Sequence, residues 1–362
     1  MPREYKDVVV ALDIGTAKIM VAVAEVLPDG QLKLAGLGVA PSNGLKRGVV
    51  VNIEATVQSI QQALKEAELI ADCRIQRVYT GITGSHIRGQ NSRGMVAIKD
   101  KEVSQADVAR VVETAKAINI SSDQRLLLVE PQEFVIDGQE VREPIGMSGV
   151  RLETNIHIVT GAQAAAENII KCVRRCGLEV EQLLLNPLAS SQAVLTDDER
   201  DLGVAVVDIG AGTTDIALFA GGAIRHTAVL PVAGDLITSD IAMALRTPTK
   251  DAEDIKVESG CAKQLLADPE AQVEVPGLGD RGPRMLSRQV LSGVIEPRVD
   301  EIFQLVQQVI RSSGYEEVLS SGIVLTGGSS VMPGMTELPP VITTPEDSTS
   351  SKPESRMTCC TS

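Results

Sequence analysis

Two stretches of this chain repeat one pattern: VVVALDIGTAKIMVAVAEV (residues 8–26) and GVAVVDIGAGTTDIALFAGG (residues 203–222). In each, an apolar run ends on Asp-Ile-Gly, turns through small and polar residues, and resumes at once as a second apolar run. Runs of this length read as buried strands, so each stretch is a hairpin bent at Gly15 or at Gly210 and Gly212. Glycines open backbone angles closed to other residues, and such a turn can aim several N–H groups inward as an anion nest. Thr213 and Thr214 add hydroxyl donors in the second copy. Thr16 and Lys18 stand in their place in the first, and Lys18 can meet a phosphate as a point charge. Asp13 and Asp208 close the leading strands and would repel a bare phosphate. They make sense if a hydrated divalent cation lies between carboxylate and phosphate. One isolated copy reads equally well as a plain hairpin. Two copies half a chain apart point to an internal duplication, with one hairpin from each half on either side of a nucleotide.

A third loop supports this. In GIVLTGGSSVMPGM (322–335) a buried strand ends at Leu325 and opens into Thr326-Gly327-Gly328-Ser329-Ser330. Adjacent glycines let backbone approach a flat ligand closely, which suits an adenosine. Competing phosphate motifs are absent: there is no G-x-x-x-x-G-K-[ST], and the glycine turns lead into strands rather than into the helix that a dinucleotide fingerprint requires.

The chain has 362 residues, enough for two such halves, and a net charge of −14 with no basic stripe. That argues against nucleic acid as a partner, as does an aromatic content of 2 %, which leaves few rings for bases to stack on. MPREYKD at the start carries no apolar signal segment, and no run approaches the roughly 20 apolar residues of a spanning helix. Cys172 and Cys176 share a helix face, but no histidine cluster completes a metal site; the cysteines read as reduced thiols of a cytoplasmic protein. His86, His157 and His226 are scattered and read as structural or exposed.

Three strands are expected over 6–40, a helix over 54–70 and a strand over 77–84. Residues 85–160 read as an inserted α+β module: two short strands, a helix capped near Ser104, then strands and turns. Helix, strand and helix follow to about 200. Residues 235–300 read as a second insertion ending in a Pro/Gly/Arg-rich loop. A long helix over 294–311 carries Ile302, Leu305, Val306, Val309 and Ile310 on one face, better suited to core packing than to a membrane. Glu253 and Lys256, three apart, share a helix face.

The triplet DIGTAK, DIGAGTTD and LTGGSS resembles the actin, heat-shock chaperone and sugar-kinase superfamily. The longer stretches NPLASSQAVLTDDERDLGVAVVDIGAGTTDIALFAGGAIRHTAVLPVAGDLITSDIA and DAEDIKVESGCA are similar to the FtsA family of actin-like bacterial cell-division proteins, over about residues 6–338. The resemblance implies an α/β, actin-like ATPase fold: two duplicated ribonuclease-H-like halves around a nucleotide cleft, with an inserted α+β subdomain in each half. The first core would be 1–84 with 161–200 and its insert 85–160. The second would be 201–234 with 301–338 and its insert 235–300. It implies ATP and Mg2+ as ligands, with Asp13 and Asp208 at the metal. The nucleotide set would be Gly15, Thr16, Lys18, Gly210, Gly212, Thr213, Thr214, Gly234, Glu253, Lys256, Gly327, Gly328 and Ser329, with Glu253 and Lys256 at the ribose and adenine edge.

It further implies filament formation, docking of the ring protein FtsZ on residues 235–300, with Arg284 and Arg288 as candidates, and contact of later divisome proteins with 85–160. Family members work at the inner face of the cell membrane. The stretch 339–362, rich in Pro, Ser and Thr, departs from the family and reads as disordered, without the amphipathic anchor helix, so this form is expected to be soluble. The alternatives are a sugar-kinase-like phosphotransferase, for which no base can be picked out, and a chaperone, for which no peptide-binding domain remains. Chaperone relatives carry Asn-Glu-Pro where Leu185-Asn186-Pro187 stands here, so at most slow ATP hydrolysis is expected.

Overall fold

The structure is a computed structural model and describes residues 8–279 and 282–337 and the backbone of 356–357. The first half begins with β1 (Val8–Ile14), β2 (Lys18–Val26) and β3 (Leu32–Pro41), a short hairpin of β4 (Leu45–Lys46) and β5 (Val49–Val50), α1 (Ile53–Ala71) and β6 (Arg77–Ile82). It resumes after an insertion with α3 (Gln163–Arg175), β11 (Glu179–Leu185), α4 (Asn186–Val194) and α5 (Asp197–Leu202). Its sheet has the order β11-β6-β1-β2-β3, antiparallel across β1, β2 and β3 and parallel across β1, β6 and β11. α1 forms because Val57, Ile60, Ala63, Leu64, Ala67 and Ala71 recur at helical spacing and are all buried against that sheet. The Asn52 side chain accepts from the Ala55 N–H to cap its start.

The second half repeats this plan. β12 (Val204–Ile209), β13 (Thr214–Ala220) and β14 (Ala223–Leu230) are antiparallel, and β17 (Ile323–Thr326) joins β12 in parallel. The two residues of β18 (Arg356–Met357) lie parallel beside β17, giving the order β14-β13-β12-β17-β18. The two sheets match strand for strand, β12 standing where β1 does. The remainder of the stretch expected to be disordered, 339–362, lies outside the described residues.

The first insertion contains β7 (Arg88–Ala97), α2 (Gln105–Lys116), β8 (Gln124–Ile136), β9 (Gln139–Val141) and β10 (Arg151–Ala162), in the antiparallel order β7-β10-β8-β9. β7 is one strand of 10 residues, not the two short ones expected, because it pairs continuously with β10. Ser104 caps α2 in a reciprocal capping box with Asp107. The insertion is covalently part of the first half but docks on β14 of the second. Gln132 Nε2 donates to the Ile224 carbonyl at 2.7 Å, and Arg225 Nη1 to Glu133 Oε2 at 2.9 Å. The buried His157 ring lies between Asn91 and Thr227.

After β14 come α6 (Gly234–Leu245), α7 (Thr249–Ser259), the hairpin β15 (Gln272–Val275) and β16 (Arg284–Ser287), and α8 (Arg288–Ser313). α8 is longer than the 294–311 expected, since Ser287 supplies its N-cap and Gly314, in the left-handed region, ends it. It therefore runs through position 300, where the insertion was expected to close. Ile302, Val306 and Ile310 are wholly buried and share one core with Ile237 and Ile241 of α6 and Val207 and Ile209 of β12. α4 is packed between the halves, its Val194 buried with Val204, Val206 and Val324.

Candidate functional site

The two hairpin turns close in the same way. Gly15 N–H donates to the Lys18 carbonyl at 3.1 Å and Gly210 N–H to the Thr213 carbonyl at 2.9 Å. Strand register places Asp13 opposite Met20 and Asp208 opposite Asp215, so Lys18 of one turn corresponds to Thr213 of the other. The turns face each other across the halves: a Cβ on Gly212 would lie 2.5 Å from Thr16 Oγ1. Thr16 Oγ1 also accepts from Gly48 N–H at 3.1 Å, tying the β4–β5 hairpin to the first turn.

Three carboxylates gather behind these turns. Burial, then the charge of Asp208, pushes Asp13 up to about 6 against the pull of Lys18, although its side chain keeps open surface. That combination fits a group crowded by protein on most sides and open on one. Asp208 is also raised by burial, and Ser190 of α4 partly offsets this by donating to Oδ2 at 2.6 Å. Asp215, the most enclosed, is pushed up to about 7. Burial is the main cause, Asp208 and Asp13 add to it, and hydrogen bonds from Thr83 and from Thr213 at 2.9 Å work against it. Such a cluster gains most from a positive charge placed among it. Among the described residues no group of three His, Cys, Asp or Glu is set to grip a metal ion directly. The arrangement suits an ion that keeps its waters, as Mg2+ does.

Asp215 and Thr83 are site residues that the motif reading missed. The signal was present: a strand reading T-D-I-A-L-F-A with one acid in an apolar run, two positions past a turn threonine and so on the same face. Alternation also corrects Thr214. Its hydroxyl donates away from the turn, to the Val232 carbonyl at 2.7 Å, so the side chain is structural.

The loop after β17 lies against the second turn. Gly327, at φ +92°, presses so close that a Cβ would sit 2.4 Å from Asp208 Oδ1. A Cβ on Gly328 would meet nothing within 4 Å and would point into open space. Ser329 N–H donates to the Ile209 carbonyl at 2.9 Å and its hydroxyl to the Gly210 carbonyl at 2.8 Å, so Ser329 positions the turn. Gly234 N–H donates to the same carbonyl at 3.1 Å. Lys256 is buried and donates to the Gly234 carbonyl at 3.3 Å, Thr238 Oγ1 at 2.9 Å and Glu253 Oε2 at 2.7 Å. Gly210, Gly234, Glu253, Lys256 and Ser329 thus form one connected group, not a solvated surface pair.

Arg284 and Arg288 stand apart from it, and neither lies in a loop. Arg284 opens β16, exposed, with Nη2 on the Leu245 carbonyl at 2.5 Å. Arg288 opens α8, and its guanidinium is spent on the carbonyls of Ser259 and Gly260 at 2.8 and 3.2 Å, at the negative end of the α7 dipole. That inward task corrects its expected place on a partner surface.

The chain matches the family described as "SHS2 domain inserted in FTSA" over residues 84–160 and the family "Cell division protein FtsA" over residues 205–354. It is 59% identical over 331 residues to the cell division protein FtsA of Pseudomonas aeruginosa, covering 91% of this chain and 79% of that one. Among solved structures it is similar to a PilM-PilN type IV pilus biogenesis complex, at TM-score 0.65 and 19% identity over 91% of this chain and 84% of that one. It is also similar to MreB5 of Spiroplasma citri bound to ADP, at TM-score 0.55 and 14% identity over 92% and 88%. The fold is the actin-like one expected from the sequence.

Proposed function

The chain belongs to the FtsA family of cell-division proteins, and from that premise we propose that it is an ATP-binding, filament-forming adaptor that ties the FtsZ ring to the membrane and to later divisome proteins. The observation that carries the ATP assignment is the meeting of two duplicated glycine turns in front of three cation-deficient carboxylates. The turns that Gly15, Gly210 and Gly212 shape present to the phosphates the N–H groups left over once those of Gly15 and Gly210 close the hairpins, with Thr16, Lys18 and Thr213 beside them. Asp13 and Asp208 hold the waters of a bound Mg2+, which when present neutralises phosphate charge. Gly327 and Gly328 give the adenosine a flat floor. Glu253 and Lys256, fixed through Gly234 and Thr238, border the ribose side. The ADP in the MreB5 structure, on the same fold, supports a nucleotide in this cleft.

Turnover is slow in this reading, since Leu185-Asn186-Pro187 lacks the glutamate of chaperone relatives. The bound nucleotide acts chiefly as a clamp between the halves. The exposed start of β16 at Arg284 offers a cation to an acidic FtsZ segment, and the insertion 85–160 is the surface for later partners. No helix among the described residues is long and apolar enough to cross a membrane.

The test is calorimetric binding of ATP with and without Mg2+ to the wild type and Asp208→Ala, with electron microscopy of the same samples. Asp208→Ala should lose affinity for Mg-ATP much more than for free ATP, and the wild type should form filaments with ATP. Equal loss in both conditions removes the metal role, and a wild type that never polymerises removes the filament role.

A further inference from the structure

The β4–β5 hairpin has a stem of two pairs, Leu45 with Val50 and Lys46 with Val49. Its two turn residues, Arg47 and Gly48, both have positive φ, 50° and 76°. Two consecutive positive φ values in a two-residue loop are the I′ geometry, whose first position favours Asn, Asp or Gly. A long side chain there carries backbone strain. Local rules broken in this way cluster where the side chain has a task.

The place of the hairpin suggests the task. A stem this short does not hold itself; its tip is held by the two turns. Gly48 N–H donates to Thr16 Oγ1 of the first turn at 3.1 Å. The Cβ that Gly48 lacks would lie 2.9 Å from Thr83 Cγ2 and 3.2 Å from Thr213 Cγ2. On the second turn, the Cβ that Gly212 lacks would lie 2.9 Å from Arg47 Cα. The tip is therefore seated where the turns meet, beside the threonine that holds Asp215. Arg47 itself is exposed and, among the described residues, makes no hydrogen bond or ion pair. Among the described residues, Lys18 is the cation whose charge bears on Asp13, and no cation offsets Asp208 or Asp215. Three carboxylates facing a polyphosphate leave a deficit of positive charge even with one divalent ion, and a free guanidinium is the group that grips phosphate oxygens in pairs.

We infer that Arg47 is the terminal-phosphate contact of this cleft: in the triphosphate state its guanidinium closes on the outermost phosphate, so the β4–β5 hairpin distinguishes nucleoside triphosphate from diphosphate. This rests on the reading of the cleft as a nucleotide site. The position between the turns favours the outermost phosphate over the inner ones, which the proposed site assigns to the turns themselves. The Gly48–Thr16 bond fixes the hairpin while leaving the guanidinium free to move.

The experiment compares Mg-ATP and Mg-ADP affinities, by calorimetry, for the wild type, Arg47→Asn and Arg47→Lys, with thermal denaturation of each. Asn suits the left-handed turn, so Arg47→Asn should fold at least as stably as the wild type. It should weaken Mg-ATP at least about tenfold, the loss of a charge-assisted contact, and leave Mg-ADP within about twofold. Arg47→Lys should recover part of the difference, keeping the charge without the paired contact. An unchanged ATP-to-ADP ratio in Arg47→Asn, whether through equal loss or no loss, overturns the inference and leaves the nucleotide site standing. A wild type that binds neither nucleotide overturns the site and the inference together.

Discussion

His157 gives the seam between the first insertion and β14 a measurable sensitivity to acid. Its ring is wholly buried, with Nδ1 2.6 Å from Asn91 Oδ1 and Nε2 2.9 Å from Thr227 Oγ1. An amide oxygen only accepts, so Nδ1 carries the proton, and Nε2 accepts from the threonine hydroxyl. A second proton on the ring would bury a charge; the Thr227 hydroxyl can turn to accept from Nε2, so desolvation is what opposes that proton. Burial chiefly, with some help from His226 on β14, pushes the imidazole down to about 4; Glu130, paired opposite on β8, does not offset this. The unfolded chain binds that proton near 6.5, so between 6.5 and 4 the unfolded state holds a proton that the folded state refuses. Stability therefore rises with pH across this window, is fully present above 6.5, and falls progressively as pH drops toward 4. The whole effect is roughly 3 kcal/mol, from a gap of about 2.5 units at 1.36 kcal/mol each. The perturbation is His157→Gln, whose amide can still donate to Asn91 and accept from Thr227 but does not titrate. Urea unfolding of both proteins at pH 7 and pH 4.5 should show the wild type losing about 2 to 3 kcal/mol more than the variant. Other acid-sensitive groups cancel in the difference. Equal losses, or an imidazole that titrates by NMR near 6.5, would refute the reasoning.

Three further outcomes are expected. Gly328→Val should leave thermal stability unchanged, because its side chain meets open space, yet weaken ATP binding at least about tenfold by filling the floor of the cleft; unchanged affinity in calorimetry would take this loop out of the site. Lys256→Met should cost about 1 kcal/mol in denaturant unfolding, because it removes three donations and the cation beside Glu253, while Thr238 still bonds the Gly234 carbonyl and Glu253. Arg284→Glu should weaken FtsZ binding in a salt-dependent way with little effect on stability, whereas Arg288→Glu should destabilise the end of α7 and so is a poor probe of the partner surface.

The features legible in the sequence are those set by local chemistry. Asp-Ile-Gly at 13–15 and 208–210 announces a strand end and a turn wherever it stands, so its repetition revealed the duplicated plan. Asp215 was missed because its role comes from register: only the pairing of β12 with β13 sets it opposite Asp208, and only the end of β6 brings Thr83 to it. Thr214 was misread for the same reason, one residue of alternation separating a side chain at the turn from one beneath it. The β4–β5 hairpin was invisible because strands of two residues carry no period; tertiary contact, not propensity, holds them. The docking of the first insertion on β14 rests on Gln132, Asn91 and His157, scattered polar residues whose partners are 70 or more positions away in sequence.

The matched sheets make that docking more informative. β3 and β14 are counterparts, each the outer antiparallel strand of its sheet, yet the insertion covers only β14. An edge strand left bare invites pairing with another chain, so among the described residues the insertion shields one edge and not the other, a polarity that two copies of the same sheet would not have by themselves. The shielded edge is also a strut. The halves meet at the facing turns, at Ser190 on Asp208, and again at this seam, so a change in the angle between them at the cleft must be accommodated at His157 and Gln132. The seam combines hydrogen bonds to the Ile224 and Arg225 carbonyls and to Thr227 with the half-buried Arg225–Glu133 ion pair, and Val229 of β14 packs into the same apolar cluster as Leu127 and Leu128 of β8.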